Sequence, residues 1–216
     1  MKITKLTLRF FGLCSLVLAG ALFNTGCAYN KVRLQSGSLD FLKQQSVVNV
    51  AFSYDSVRVG RINHKSVAEQ EYIDKKINNL DQKSPGSGQA WSQEWTGNRT
   101  LKFQPKFLQL LNKQFEGQKT ALDFGMHPEA PYTMLLNTTY LEGGYNVGIS
   151  ARPALLSADV TFFETKNPAQ TLAAISLVNL QGMDVMGYAY DAGWRMQESY
   201  AKAGKRLGAL IRKKVR

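Results

Sequence analysis

The sequence predicts an α+β fold, a mixed, largely antiparallel sheet with helices packed on one face. Two observations carry this. Val48, Val50, Phe52 and Tyr54 alternate with Asn49, Ala51 and Ser53, and the same period-two pattern returns over 132–141, 155–163 and 172–180. Apolar residues at three- and four-residue spacing instead mark 66–80, 89–115 and the last 25 residues as helices. Strands and helices fall in separate runs, which is the α+β arrangement rather than an alternating parallel one.

Taken in order, Val32–Leu34 reads as a brief strand, followed by the turn-like Gln35-Ser36-Gly37-Ser38 and an apolar patch at Leu39, Phe41 and Leu42. After Val47–Tyr54, the piece Ser56–Gly60 is expected to continue the strand past a bulge. Ser66-Val67-Ala68-Glu69 has capping-box spacing, so a helix is expected from Ser66 to Leu80, with Tyr72, Ile73, Ile77 and Leu80 as its apolar stripe. Residues 81–88 are loop by composition. Gln89–Phe115 reads as one long helix or two abutting ones, because Pro105 either starts a second helix or kinks the first. Phe107, Leu110, Leu111 and Phe115 form the later stripe, and Gly117 closes it.

Three strands follow, Tyr132–Leu141, Leu155–Phe163 and Leu172–Leu180, the last two joined by the turn Thr165-Lys166-Asn167-Pro168 as an antiparallel hairpin. In the first, Met134, Leu136 and Tyr140 alternate with Thr133, Asn137 and Thr139. Asp191 is a good N-cap for the final helix, whose face is Met196, Tyr200, Ala203, Leu207, Leu210 and Ile211. Gly204 and Gly208 beside that face are expected to let the helix lie close on the sheet.

The first 27 residues have a different plan. Lys2, Lys5 and Arg9 precede an apolar run from Phe10 to Phe23, which ends in small residues and Cys27. That is a secretory leader, with an apolar run too short to span a bilayer. Thr25-Gly26-Cys27 resembles the lipobox of bacterial lipoproteins, with Asn24 where that pattern has an aliphatic residue. The resemblance implies cleavage before Cys27, acylation of its sulfur and a lipid anchor in a membrane. With Ala28 next and no acidic cluster after it, the resemblance implies the outer membrane, facing the periplasm. The expected organisation is a leader over 1–26, a tether over 27–36 and a single α+β domain over 37–216. Cys14 leaves with the leader, so the exported chain is expected to have no disulfide and to depend on its core.

The chain carries a formal charge of +11, which becomes +8 without the three leader cations. A basic balance raises nucleic acid as a partner. The export leader argues against it, and no helix-turn-helix, zinc-finger or RNA-binding motif is present. Arg212, Lys213, Lys214 and Arg216 complement the negative end of the last helix, or alternatively face anionic lipid.

No catalytic set stands out. His64 and His127 sit in polar loops without a Gly-x-Ser-x-Gly elbow. The His and Cys residues do not have metal-ligand spacing, so neither metal nor cofactor is expected. Asp159 and Glu164 bracket a strand, and Glu94 and Glu142 lie at element ends; nothing singles out a pair suited to glycoside hydrolysis. The Gly-rich link 142–148 lacks phosphate-cradle spacing. Its exposed residues Tyr145 and Asn146 are the first candidate for a binding surface, because loops held by a sheet carry function. Trp91 and Trp95, four apart on one helix face beside Phe103 and Phe107, fit either the core or a groove for sugar or peptide.

Over residues 37 to 212, GSLDFLKQQSVVNVAFSYDSVRVG, the stretch from Trp91 to Phe115, LLSADVTFFETKNPAQ and YAKAGKRLGALI carry a further resemblance. The chain resembles envelope lipoproteins of Bacteroides-like bacteria, and more loosely the curli-secretion lipoprotein and the N-terminal domain of the Tol-system propeller protein. These motifs imply a fold and a compartment, and no activity. The function expected is a non-enzymatic assembly or interaction module with a protein partner in the envelope. The alternative is an envelope hydrolase or carbohydrate-binding protein.

Overall fold

The computed structural model describes residues 30–62, 65–183 and 191–216; the leader, Cys27 and His64 lie outside them. Strands β1 (Lys31–Gly37), β2 (Val47–Ser53), β3 (Arg58–Ile62) and β4 (Lys65–Ala68) precede helices α1 (Glu69–Asp81), α2 (Ser87–Asn98) and α3 (Gln104–Asn112). Then come β5 (Asp123–Gly125), β6 (Tyr132–Glu142), β7 (Tyr145–Asn146), β8 (Ala151–Arg152), β9 (Ala154–Glu164), β10 (Asn167–Gly182) and α4 (Ala192–Val215). The sheet runs β1-β10-β9-β6-β2-β5, and β3 follows β2 along β6 while pairing with β4 on its other side. The pairs β1–β10, β10–β9 and β9–β6 are antiparallel, while β2 is parallel to both β6 and β5. The parallel step from β2 to β6 needs a long crossover, and that crossover carries α1 to α3. This is the mixed, mostly antiparallel α+β sheet expected from the sequence.

Period-two patterning puts one apolar row under the helices. Leu34, Ile175, Val160, Leu136 and Phe52 stand in register across five strands. The Phe52 ring meets Phe107 of α3 edge to face at 5.8 Å. One row away and on the opposite face, Arg33, Ser176, Asp159, Asn137 and Ser53 stand in register, with Ser53 donating to Asn137 at 3.0 Å.

Several sequence expectations are corrected. The brief strand expected at Val32–Leu34 extends over Lys31–Gly37, including the Gln35-Ser36-Gly37 expected as a turn, because these residues pair with the far edge of β10. The helix expected from Ser66 begins at Glu69 instead. Residues 65–68 are drawn into a hairpin with β3, and the Ser66 hydroxyl accepts from Arg58 Nε at 3.0 Å. Glu69 is likewise spent elsewhere: it accepts from Trp95 Nε1 at 2.8 Å and from Arg99 at 2.5 Å, which ties the start of α1 to the end of α2. Of the two readings left open for Gln89–Phe115, two helices is the one found: α2 and α3 are joined by a π turn, Arg99–Phe103, and Pro105 lies in the first turn of α3. The wider turn absorbs the ring clash and missing N–H of the proline. In β6 a bulge between Thr138 and Tyr140 reverses the alternation, so Leu141, not Tyr140, is buried.

The glycines of α4 also do a different job from the one expected. A Cβ on Gly204 would lie 2.2 Å from the Phe107 carbonyl oxygen, and one on Gly208 would lie 2.9 Å from that of Leu111. They let α4 approach α3, not the sheet. Where α4 meets the sheet, the space comes from the strand: a Cβ on Gly182 would lie 2.2 Å from both Arg195 O and Ser199 N. Asp191 caps α4 as expected, accepting from Trp194 N at 3.1 Å. At its other end Arg212 donates to the Gln114 carbonyl at 3.4 Å.

Beneath α4 the core is aromatic and partly polar. The Tyr200 ring stacks on Phe103 at 4.9 Å, and its hydroxyl meets that of Thr138 at 2.8 Å. The Tyr54 hydroxyl is buried beside Gln104 and Tyr200 without a well-formed hydrogen bond. Burial raises the Tyr200 phenol well above the usual 10.0, and raises Tyr54 and Tyr72 as well. A phenol whose folded pKa lies above its unfolded value stabilises the fold fully below about pH 10. That contribution is lost as pH rises toward the folded value, because the unfolded chain sheds its protons first. Stability is therefore expected to fall steeply above about pH 10. In an alkaline titration followed by tyrosinate absorbance, Tyr54 and Tyr200 should ionise only with the loss of circular dichroism. Their ionisation in the folded protein would refute this packing.

Candidate functional site

The crossover helices and the hairpin end of β6 leave a half-open cleft of about 480 Å³ between them. Tyr72 and Lys76 of α1, Trp91, Glu94, Trp95 and Asn98 of α2, Glu142–Tyr145 and the first turn of α4 line it. Tyr72, Trp91 and Trp95 are there because stripe positions of α1 and α2 face each other. Their ring centroids lie 5.2 to 5.8 Å apart, in tilted and edge-to-face arrangements. Trp95 is core, 7% exposed with its indole N–H on Glu69, whereas Trp91 is half-buried and opens on the cleft. Trp95 therefore belongs to the core, and Trp91 lines the cleft.

The opposite wall is the Gly-rich link. It is a small hairpin, β7 paired with β8, rather than a plain loop. Gly144 takes a positive φ of 60°, and a Cβ there would lie 2.2 Å from the Arg152 carbonyl oxygen, so only glycine fits this crossing. Arg195 of α4 clamps its base, donating to the carbonyls of Gly143 at 2.8 Å and Gly144 at 3.2 Å. Burial lowers the pKa of this guanidinium. Tyr145, 45% exposed, lines the cleft. Asn146 is absent from the lining and instead accepts from Gly148 N at 3.0 Å.

Of the four carboxylates weighed from the sequence, Glu94 and Glu142 meet at this cleft, joined by Asp191. Each is already committed. Glu142 is 8% exposed, accepts from the Tyr140 hydroxyl at 2.7 Å and lies 3.6 Å from Arg152. Glu94 stands 3.8 Å from Lys102, and Asp191 caps α4. Asp159 stands on the open sheet face away from the cleft, and Glu164 ends the same strand. His127 pairs with Asp123 at 2.9 Å on the surface. Among the described residues no group of three His, Cys, Asp or Glu side chains is placed to hold a metal, and no helix is long and apolar enough to cross a membrane.

Asn98 and Arg195 were not singled out by sequence reasoning. Arg195 carries no local signal, since its role depends on carbonyls some fifty residues earlier. Asn98 in the last turn of a helix looks like any polar helix-end residue.

No family model and no curated protein matches the chain. Among solved structures, a PelC variant dodecamer from Paraburkholderia phytofirmans overlaps at a TM-score of 0.37 and 13% identity, covering 83% of this chain and 98% of that one. The PelC dodecamer from the same organism gives 0.35 and 12%, covering 82% and 96%. A DUF330 protein from Xanthomonas campestris gives 0.35 and 8%, covering 77% and 83%. Likeness at this level carries nothing about activity or partners.

Proposed function

We propose that the chain is a lipoprotein of the bacterial envelope, anchored through Cys27 in the outer membrane and facing the periplasm, whose folded part is a non-enzymatic interaction module. The observation that carries this is the leader that ends at Thr25-Gly26-Cys27. Cys27 stands four residues before β1, a chain reach of at most roughly 14 Å, so an anchored Cys27 holds that sheet edge against the lipid surface. Lys31 and Arg33 lie on this edge, and Arg206 donates to the Asn30 carbonyl at 2.9 Å. Attraction to anionic head groups is worth about 1 kcal/mol per such cation. The commitment of Glu142 and Asp191 to structural bonds favours binding over catalysis.

Metabolic labelling with a fatty-acid analogue tests the anchor. The native protein is expected to take up label and fractionate with the outer membrane, while Cys27→Ala takes up none. A native protein that stays unlabelled and is released as a soluble periplasmic species overturns this reading. A second reading, carbohydrate binding, is favoured by the aromatic cleft.

A further inference from the structure

We propose that the cleft between α1, α2, the β7–β8 hairpin and the start of α4 binds a pyranose chain, which hydrogen-bonds to the Asn98 amide and stacks on Trp91 and Tyr145. This rests on the carbohydrate-binding reading and names its ligand class and central contact. Asn98 is 5% exposed and lines the cleft, and its side-chain amide has no hydrogen-bond partner among the described residues. An amide that opens on a cleft without a protein partner is available to a ligand. An amide offers a donor pair and an acceptor side by side, which suits two adjacent ring hydroxyls.

The surroundings fit that ligand. Gly193 faces the amide, and a Cβ there would lie 2.8 Å from Asn98 Nδ2 and 3.0 Å from Asp191 Oδ1, so the glycine keeps both groups clear. Trp91 is half-buried, its indole N–H has no acceptor among the described residues, and Tyr145 lines the same cleft from the hairpin. Aromatic rings present flat apolar surface for the C–H faces of a pyranose, with polar tips for its hydroxyls. The three carboxylates of the cleft, Glu94, Glu142 and Asp191, already answer Lys102, Arg152 and the α4 amides, and the Lys76 ammonium lies 5.8 Å from the Trp91 ring centroid, where it can also donate to a ring hydroxyl. A volume of about 480 Å³ lies within the usual range for small-molecule sites.

The test uses the full chain purified in mild detergent, with tryptophan fluorescence and calorimetry against hexasaccharides of glucose, mannose and N-acetylglucosamine, and with hexalysine as a peptide control. At least one saccharide is expected to bind, with at least tenfold weaker affinity in Asn98→Ala and in Trp91→Ala and unchanged affinity in Ser92→Ala. Because the amide is unpaired, Asn98→Ala should melt no lower than the parent, which a structural role would not allow. The proposal is overturned if no saccharide binds, if hexalysine alone binds, or if Asn98→Ala and Trp91→Ala bind as the parent does. Any of these results leaves the lipid-labelling outcome untouched, so failure here and failure of the anchor are distinguishable.

Discussion

Leu207→Asp is expected to leave the protein unfolded at room temperature. Leu207 is 0% exposed, on the face of α4 that closes the core against the sheet and α3. The substitution removes about 1.5–3 kcal/mol of apolar burial. It also places a carboxylate among apolar side chains with no cation among them, at a further cost of several kcal/mol. Together these approach the whole stability of a typical domain, about 5–15 kcal/mol. Lys205→Asp, two residues away and exposed, should stay within about 0.5 kcal/mol of the parent. Circular dichroism with urea titration separates the two. A folded Leu207→Asp protein would mean that α4 is not part of the core.

Gly204→Ala should be the most damaging single methyl in the helices. Its Cβ would fall 2.2 Å from the Phe107 carbonyl oxygen, and neither α3 nor α4 backbone can yield without moving Phe103, Phe107 and Leu111, which are packed beneath. Overpacking of this kind costs about 1–3 kcal/mol or more. It outweighs the roughly 1 kcal/mol that alanine gains over glycine in a helix interior. Gly97→Ala in α2 supplies the opposite sign. Its Cβ would meet nothing nearer than a Leu101 methyl at 3.9 Å, so the helix-propensity gain stands, and the variant should be more stable by about 0.5–1 kcal/mol. Thermal melts of the two variants should shift in opposite directions. A parallel shift would show that the α3–α4 approach is wider than described.

Polar residues on the cleft side follow a related logic. The Tyr54 hydroxyl is buried without a good partner, whereas the Asn98 amide, with no hydrogen-bond partner among the described residues, opens on a cavity. Tyr54 lies under the Arg99 guanidinium, 4.3 Å from its ring, and serves packing. An unpaired group in a closed core is a local cost, whereas the same group on a cleft floor is available to a ligand.

The legible part of the fold follows from short-range physics. Alternation at period two in β2, β6 and β9 placed Val48, Val50, Met134, Leu136, Val160 and Phe162 on one buried face, because successive side chains of a strand point to opposite sides. Three- and four-residue spacing did the same for Phe107, Leu111, Tyr200, Leu207 and Ile211, and the Asp191 cap was legible because its partner is three residues away. Only the tertiary structure decided the rest. Ser66 left its capping box because strand pairing with Arg58 competes for the same backbone, and Lys31–Gly37 became strand because an edge of β10 lies beside it. Gly204 faces α3 rather than the sheet because helix periodicity fixes which residues share a face, not which element covers that face. The cleft is the furthest case. Its residues come from helix, hairpin and helix start more than a hundred positions apart, and no local pattern encodes a distance of that kind.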